Sequence, residues 1–301
     1  MFVFSLIIIT VKVTHNWKSY ASSVLSSISS NYMQIVWLPQ NICDSIDQTI
    51  SNFIWRDNNN NKGIHLVGWN KVAQPKHHDG LGIRTARETN ICFLGKLVWD
   101  LIQSSPKLWV DLLSNKYISG PKILNATAHP KASSTWSSII HAKYTLKEGY
   151  SWRAGSGSSS FWFCPWSSLG YIGLMVPYID IHDLHLSVND VLSSSGPHFQ
   201  VLYSHLPPQA SNFINNMNIR SNPSLEDAFI WALNKNGVYT TKSGYAWLLS
   251  HTSTVINVQH SATWSWIWKL KLPEKLKFLF WLACHNFVPT LFLLNNRNMA
   301  S

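Results

Sequence analysis

TARETNICFLGKLVWDLI, residues 85–102, decides how the chain is read. Thr85 and Glu88 stand three apart as a capping box, in which hydroxyl and carboxylate each take a free N–H at a helix start. Ile91, Leu94, Val98, Leu101 and Ile102 then recur at helical spacing as one apolar stripe. The segment predicts an amphipathic helix, and its neighbours follow the same period. Upstream, Ile42, Ile46, Ile50, Phe53 and Ile54 share a face. Downstream, Ser105-Pro106 reads as an N-cap with proline at the first helical position, opening a helix through Leu108, Leu112 and Leu113. Trp136, Ile139, Ile140 and Lys143 line one more.

From Tyr150 the pattern changes. Ser151-Trp152-Arg153 and Phe161-Trp162-Phe163 flank Gly155 to Ser160, which predicts a local hairpin. Residues 167–225 have weak periodicity and several prolines, and are expected to be a poorly ordered linker with short elements. Phe229 to Leu233 and Val238 to Thr241, around the turn Asn234-Lys235-Asn236-Gly237, predict a second hairpin. A short helix near Tyr245 to Leu249 and two more over Trp264 to Lys271 and Pro273 to His285 complete the expectation. The fold class is mainly α with short β-hairpins.

Composition narrows the chemistry. Of 301 residues only 13% are charged, about half the usual ~25%, while Trp occurs 16 times. The net charge is +10, concentrated in two regions. Residues 61–116 and 117–153 carry +4 each, 154–228 carries −4, and 229–301 carries +6. Two-metal phosphoryl chemistry needs converging carboxylates, yet among 14 acids the one adjacent pair is Glu226-Asp227. The four cysteines (Cys43, Cys92, Cys164, Cys284) contain no C-x-x-C, which points to a reducing compartment rather than a disulfide framework. The apolar stretch near the amino terminus, at ten residues, is too short for the ~20 needed to span a bilayer. It lacks a basic flank and a cleavage site, so the expectation is an intracellular protein, nuclear or cytoplasmic, with no membrane partner.

A resemblance rests on many segments in order. Asn31-Tyr-Met-Gln-Ile-Val-Trp-Leu-Pro39, Asn52-Phe-Ile-Trp55, Lys62-Gly-Ile-His-Leu-Val-Gly-Trp69 and Gly80-Leu-Gly-Ile-Arg84 come first. Leu94-Gly-Lys-Leu-Val-Trp99, Trp152-Arg-Ala-Gly155-Ser-Gly157 and Phe161-Trp162 follow. Then come Gly237-Val-Tyr239, Lys242-Ser-Gly-Tyr245, Trp264-x-x-Ile-Trp268-Lys and Pro273-x-Lys275-x-Lys-Phe278-x-x-Trp281. Together they resemble plant LINE-type (non-LTR) retroelement reverse transcriptases after the polymerase palm, running into the family's zinc-binding domain. The resemblance implies an unmatched leader at 1–20, a helical thumb-like region at 21–150, a hairpin and irregular connector at 151–228, and a truncated, incomplete α+β zinc-binding domain at 229–301. It also implies an RNA-directed DNA polymerase context, with ribonuclease H-like modules, zinc and two divalent metal ions in intact members. The polymerase carboxylates would precede Ala21 and the zinc ligands would follow Met299, so no enzyme activity and no cofactor are expected of this stretch.

The candidate nucleic-acid contacts are two basic groups. Lys76, His77, His78, Arg84 and Arg87 form one; phosphate neutralisation with counterion release is what such residues do. Lys269, Lys271, Lys275 and Lys277, interleaved with Trp264, Trp266, Trp268, Phe278 and Trp281, form the other, a pattern suited to single strands, although Trp281, Phe278 and Leu282 also fit a helical core. Candidate catalytic and metal residues are none: His182-x-x-His185 lacks a third ligand, and Gly155-x-Gly157 lacks the Lys-Ser/Thr of a phosphate loop. The expected function is weak nucleic-acid binding by a non-catalytic fragment. The alternatives are a domesticated module that binds a protein partner through Trp/Phe-rich surfaces, and a pseudogene remnant.

Overall fold

The computed structural model describes residues 30–55, 65–118, 123–153, 155–164, 166–167, 169–193, 196–217, 225–252 and 264–288. The leader at 1–20, the four-Asn loop at 58–61 and the stretch 289–294 lie outside these. Seven helices of eight residues or more are described: α1 (Gln40–Trp55), α2 (Ala86–Ile102), α3 (Leu108–Tyr117), α4 (Ser134–Leu146), α5 (Pro208–Asn215), α6 (Thr241–Thr252) and α7 (Glu274–Cys284). Four strands, β1 (Tyr150–Arg153), β2 (Leu192–Ser193), β3 (Gly196–Pro197) and β4 (Ala228–Trp231), form two antiparallel pairs. The protein is mainly α with short β pairs.

The described residues divide into two compact units. One takes those within Met1–Leu101, Pro106–Thr145 and Thr240–Ser301; the other takes Ile102–Ser105 and Leu146–Tyr239.

In the first unit α2 starts at Ala86 as the sequence predicts, but the expected reciprocal box is replaced: the Thr85 hydroxyl donates to the Glu88 carboxylate and the Thr85 N–H goes to the Tyr245 hydroxyl. Ile91, Leu94, Val98 and Leu101 are buried as the stripe requires. Asp47, on α1, caps the same helix: its Oδ1 accepts the Ala86 N–H at 2.8 Å. Asn90 is fully buried yet satisfied. Its Oδ1 accepts the Leu38 N–H at 2.9 Å, and its Nδ2 donates to the Met33 and Val36 carbonyls at 2.9 and 2.8 Å. On α4, Trp136, Ile139, Ile140 and Lys143 are all buried, and the Lys143 ammonium donates to the Leu124 and Ala126 carbonyls.

Three helical expectations are corrected, the first being Trp264 to Lys271, which forms a 3₁₀ helix over Trp264–Lys269. Ser105-Pro106 does not open the next helix; α3 begins at Leu108 with Lys107 at its N-cap. Ser104 turns the chain at φ 46°, and the Lys107 ammonium reaches back to Asp100 at 2.6 Å, which delays the start. That delay changes the buried face: Val110 is covered, whereas Leu108 and Leu112 are 76% and 60% exposed. Ile42 is likewise exposed, its place in the core taken by Cys43.

In the second unit the strands exist but pair differently from the two local hairpins expected. β1 pairs with β4, placing Tyr150 opposite Trp231 and Trp152 opposite Phe229. Trp231 is fully buried edge-on to Tyr150 and Tyr239, with ring centres at 5.0 and 4.8 Å, and Trp152 meets Phe229 edge-on at 4.7 Å. These cross-strand aromatic contacts outweigh the local turns. The stretch 167–225 is also corrected. Its elements are short, but Ile172, Val188, Val191, Leu192, Ala210 and Ile214 close a shared core with Phe161, Trp162 and Trp166.

Burial pushes the Asp47 carboxyl up to about 6; Glu88 and Asp44 add to this, and the Ala86 N–H works against it. An unfolded aspartate titrates near ~3.9. Between these values the folded chain holds the extra proton, so stability falls as pH rises through that window. Asp47→Asn keeps the acceptor for Ala86. It is expected to flatten the slope and to stabilise the protein at pH 7 by about 1 kcal/mol, well below the roughly 3 kcal/mol of a fully buried group. Urea unfolding at pH 4.5, 6 and 7.5 measures this; an unchanged slope contradicts it.

Candidate nucleic-acid interface

The first basic group sits on a tight turn. Lys76–His78 is a 3₁₀ turn, after which Asp79 takes the left-handed conformation at φ 64°. A Cβ at Gly80 would lie 2.0 Å from the Gln74 carbonyl oxygen, so only glycine fits there. Asp79 is buried, and it joins this turn to the second basic group. Its Oδ1 accepts the Trp264 N–H at 2.6 Å, and its carbonyl accepts the Trp281 indole N–H at 2.7 Å. Segments 185 to 202 residues apart therefore adjoin, and the Lys76 ammonium lies 5.1 Å from the centre of the Trp268 ring.

The aromatics of the second group are mainly core. Trp281, Ile267 and Leu282 are buried against Ile50, Ile54 and Trp55 of α1, with Trp264, Trp268 and Phe278 partly covered. Trp266 is the exception at 46% exposed. Lys269 and Lys271 are exposed, Lys275 is half-buried, and none of the three makes an ion pair among the described residues. Lys277 differs: it pairs with Glu274 at 2.9 Å and keeps 12% of its side chain exposed.

The arginines of the first group are held by the protein to different degrees. Arg84 lies over the Tyr245 ring at 5.3 Å, and the Tyr245 hydroxyl accepts the Thr85 N–H at 3.3 Å. Burial pushes the Tyr245 phenol above its ordinary range. Arg87 donates to the Leu38 carbonyl at 2.6 Å and to Gln40 at 2.9 Å, and stacks on Trp37 at 4.7 Å. His77 and His78 are exposed, their rings 4.5 Å apart. The cations of the two groups left open to a ligand are thus Lys76, Arg84, Lys269, Lys271 and Lys275, with His77 and His78 exposed beside Lys76. Nothing local in the sequence separates these from Arg87, because Leu38 and Trp37 are remote in the chain.

Elsewhere, His182 is paired with Asp180 at 2.8 Å, and Asp183 is fully buried, accepting the N–H groups of Tyr203 and Ser204 at 3.1 and 2.7 Å. No group of three or more His, Cys, Asp or Glu gathers among the described residues, and no helix among them is long and apolar enough to cross a membrane. The Gly155-x-Gly157 loop does hold an anion, but an internal one. Asp227 Oδ1 accepts the Gly155 and Gly157 N–H groups at 2.5 and 3.0 Å, and its Oδ2 accepts that of Ser159 at 2.8 Å. Burial works to raise this carboxyl; the hydrogen bonds from Ser159, Gly155 and Gly157 outweigh it and hold it below the usual range. The Gly-x-Gly next to a run of serines and the acidic pair Glu226-Asp227 both stand out in the sequence, but nothing local joins them across 70 residues.

The chain is 28% identical over 279 residues to an Arabidopsis thaliana protein named "Putative ribonuclease H protein", covering 89% of this chain and 44% of that one. It is 27% identical over 127 residues to an "Uncharacterized mitochondrial protein" of Arabidopsis thaliana, covering 42% of this chain and 82% of that one. The chain thus spans less than half the length of the first relative. No family profile matches it, and no solved structure does.

Asp227→Ala strips partners from three N–H groups at once. Each buried orphan costs ~1–3 kcal/mol, not additively, so a loss of about 3 kcal/mol is expected, with Asp227→Asn milder. Because the folded pKa is depressed, this contribution is present above the unfolded value and disappears as pH falls through the folded one. Denaturant midpoints at pH 7 and pH 3 read both effects; an alanine variant as stable as the parent at pH 7 contradicts them.

Proposed function

We propose that this stretch binds single-stranded nucleic acid and performs no chemistry itself, within a protein of the plant retroelement reverse transcriptase type. The observation that carries the binding reading is the concentration of Lys269, Lys271 and Lys275, free of acidic partners among the described residues, beside exposed Trp266 and the Lys76-His77-His78 corner. Cations that follow a backbone, next to an aromatic face that takes a base, suit a flexible strand better than a duplex.

The non-catalytic reading is supported by where the acids are engaged. Asp47, Asp79, Asp183 and Asp227 accept backbone N–H groups; Asp100, Asp180 and Glu274 take side-chain cations or histidine. Carboxylates committed in this way hold the fold and are scattered over both units. The similarity to a plant protein named for ribonuclease H fits a retroelement origin without placing that activity in these residues.

A protein-binding role is favoured by the exposed apolar residues of the second unit, Leu174, Tyr178, Ile181 and Tyr203, at 68–84% exposure. The Trp/Phe-rich surface that such a role would use is instead largely interior, with Trp136, Trp162, Trp231, Trp281 and Phe161 fully buried.

Anisotropy with a labelled single-stranded RNA tests the reading. Affinity should fall steeply with salt, and replacing Lys269, Lys271 and Lys275 by Ala should lower the log–log salt slope by ~0.7 per lysine. No binding at low ionic strength, or a triple variant with the parental slope, overturns it.

A further inference from the structure

A second aromatic–cationic feature lies away from the lysines just described. α3 ends at Tyr117, whose ring stacks on Trp136 at the start of α4, with centres 4.7 Å apart and planes within 19°. The Trp136 side is fully buried, so the stack is a rigid platform anchored in the core. The Tyr117 hydroxyl accepts the Ser133 N–H at 3.1 Å, and Ser133 Oγ in turn accepts the Trp136 N–H, so the ring is fixed at both ends. Beside it opens a hollow of about 580 Å³ lined by Leu112, Leu113, Asn115, Lys116, Tyr117 and Ser133. That volume falls within the ~300–1,000 Å³ typical of small-ligand sites. The floor is apolar, Asn115 brings an amide with both donor and acceptor, and the Lys116 ammonium lies over the Tyr117 ring at 5.1 Å. His129 stands 6.2 Å from the same ring, and Lys131 is exposed two residues before Ser133. Against Lys116 and Lys131, α3 carries one acid, Asp111, in its first turn.

We infer that the hollow beside Tyr117 is a stacking subsite for one base of a single strand, with Lys116 and Lys131 taking the flanking phosphates. The platform supplies a π-face fixed before binding, so little ordering is lost when a base lands on it. Lys116 is the mobile part: it swings from the ring to a phosphate as the base takes its place. Amide and hydroxyl groups at the rim reach a base edge, and the charge balance favours a polyanion over an acidic-patch partner. This subsite rests on the nucleic-acid reading above and extends it to a second place on the same unit.

Photo-crosslinking of the full chain to an oligonucleotide carrying 5-bromouridine, with peptide mapping, tests it directly. Crosslinks at Tyr117 are expected. In anisotropy, Tyr117→Leu should weaken binding about tenfold with an unchanged salt slope, since a base contact rather than a phosphate is lost, and Tyr117→Phe, which keeps the π-face but frees one end of the ring, should weaken it less than Tyr117→Leu. Lys116→Ala should lower the slope by ~0.7. Crosslinks confined to residues 264–277, with parental binding by Tyr117→Leu, overturn the subsite and leave the function reading intact. Absence of binding by the parent overturns both. Should Tyr117→Leu leave RNA binding unchanged but lose a nuclease-resistant protein partner, the hollow is a protein-docking site and the proposal fails.

Discussion

One buried aspartate holds the first unit together. Asp79 sits in a left-handed turn that its neighbour Gly80 makes possible, and it takes two N–H groups of the carboxy-terminal segment, its carboxylate accepting from the Trp264 backbone and its main-chain carbonyl from the Trp281 indole. A buried side-chain oxygen in that position is tolerated because the Trp264 N–H compensates its lost hydration. The consequence is that residues 65–83 and 264–285 must be in place together or not at all. The core of Val67, Val72, Leu81, Ile83, Ile267, Trp281 and Leu282 closes over this link. The arrangement of the basic residues follows from the same link, because Lys76 reaches Trp268 only if the turn and the carboxy-terminal segment adjoin.

What was legible in the sequence was local. The Thr85-Glu88 box and the 91–102 stripe are information carried within one helix, and α2 follows them to the residue. Trp136, Ile139, Ile140 and Lys143 likewise declared a buried face, even though a lysine belongs to it because carbonyls of Leu124 and Ala126 receive it. What was not legible depended on partners far away. Trp152 and Phe229 pair across the second unit, whereas turn-forming residues near each strand pointed to closer partners. The 167–225 stretch showed little periodicity because, apart from Ala210 and Ile214 on α5, its described core comes from one or two residues on each of several short turns, which leave no repeating pattern.

The site divides in the same manner. Lysine-rich, Trp-rich composition located the carboxy-terminal group, but not which cations are open: Lys277 is paired with Glu274, and Arg87 is engaged by Leu38, Gln40 and Trp37. The tryptophan excess, which suggests an adhesive surface when counted, is mostly structural once placed. It supplies the centres of both units, leaving Trp266 on the outside near the lysines. Low acid content has a parallel reading, since many of the acids serve as caps and cradles for backbone N–H groups.

Hydrogen exchange on Asp79→Ala tests the central link most directly. The account predicts that protection is lost together in residues 65–83 and 264–285, while the β1–β4 pair keeps its protection. Loss confined to the 75–82 turn, with 264–285 as protected as in the parent, would contradict it.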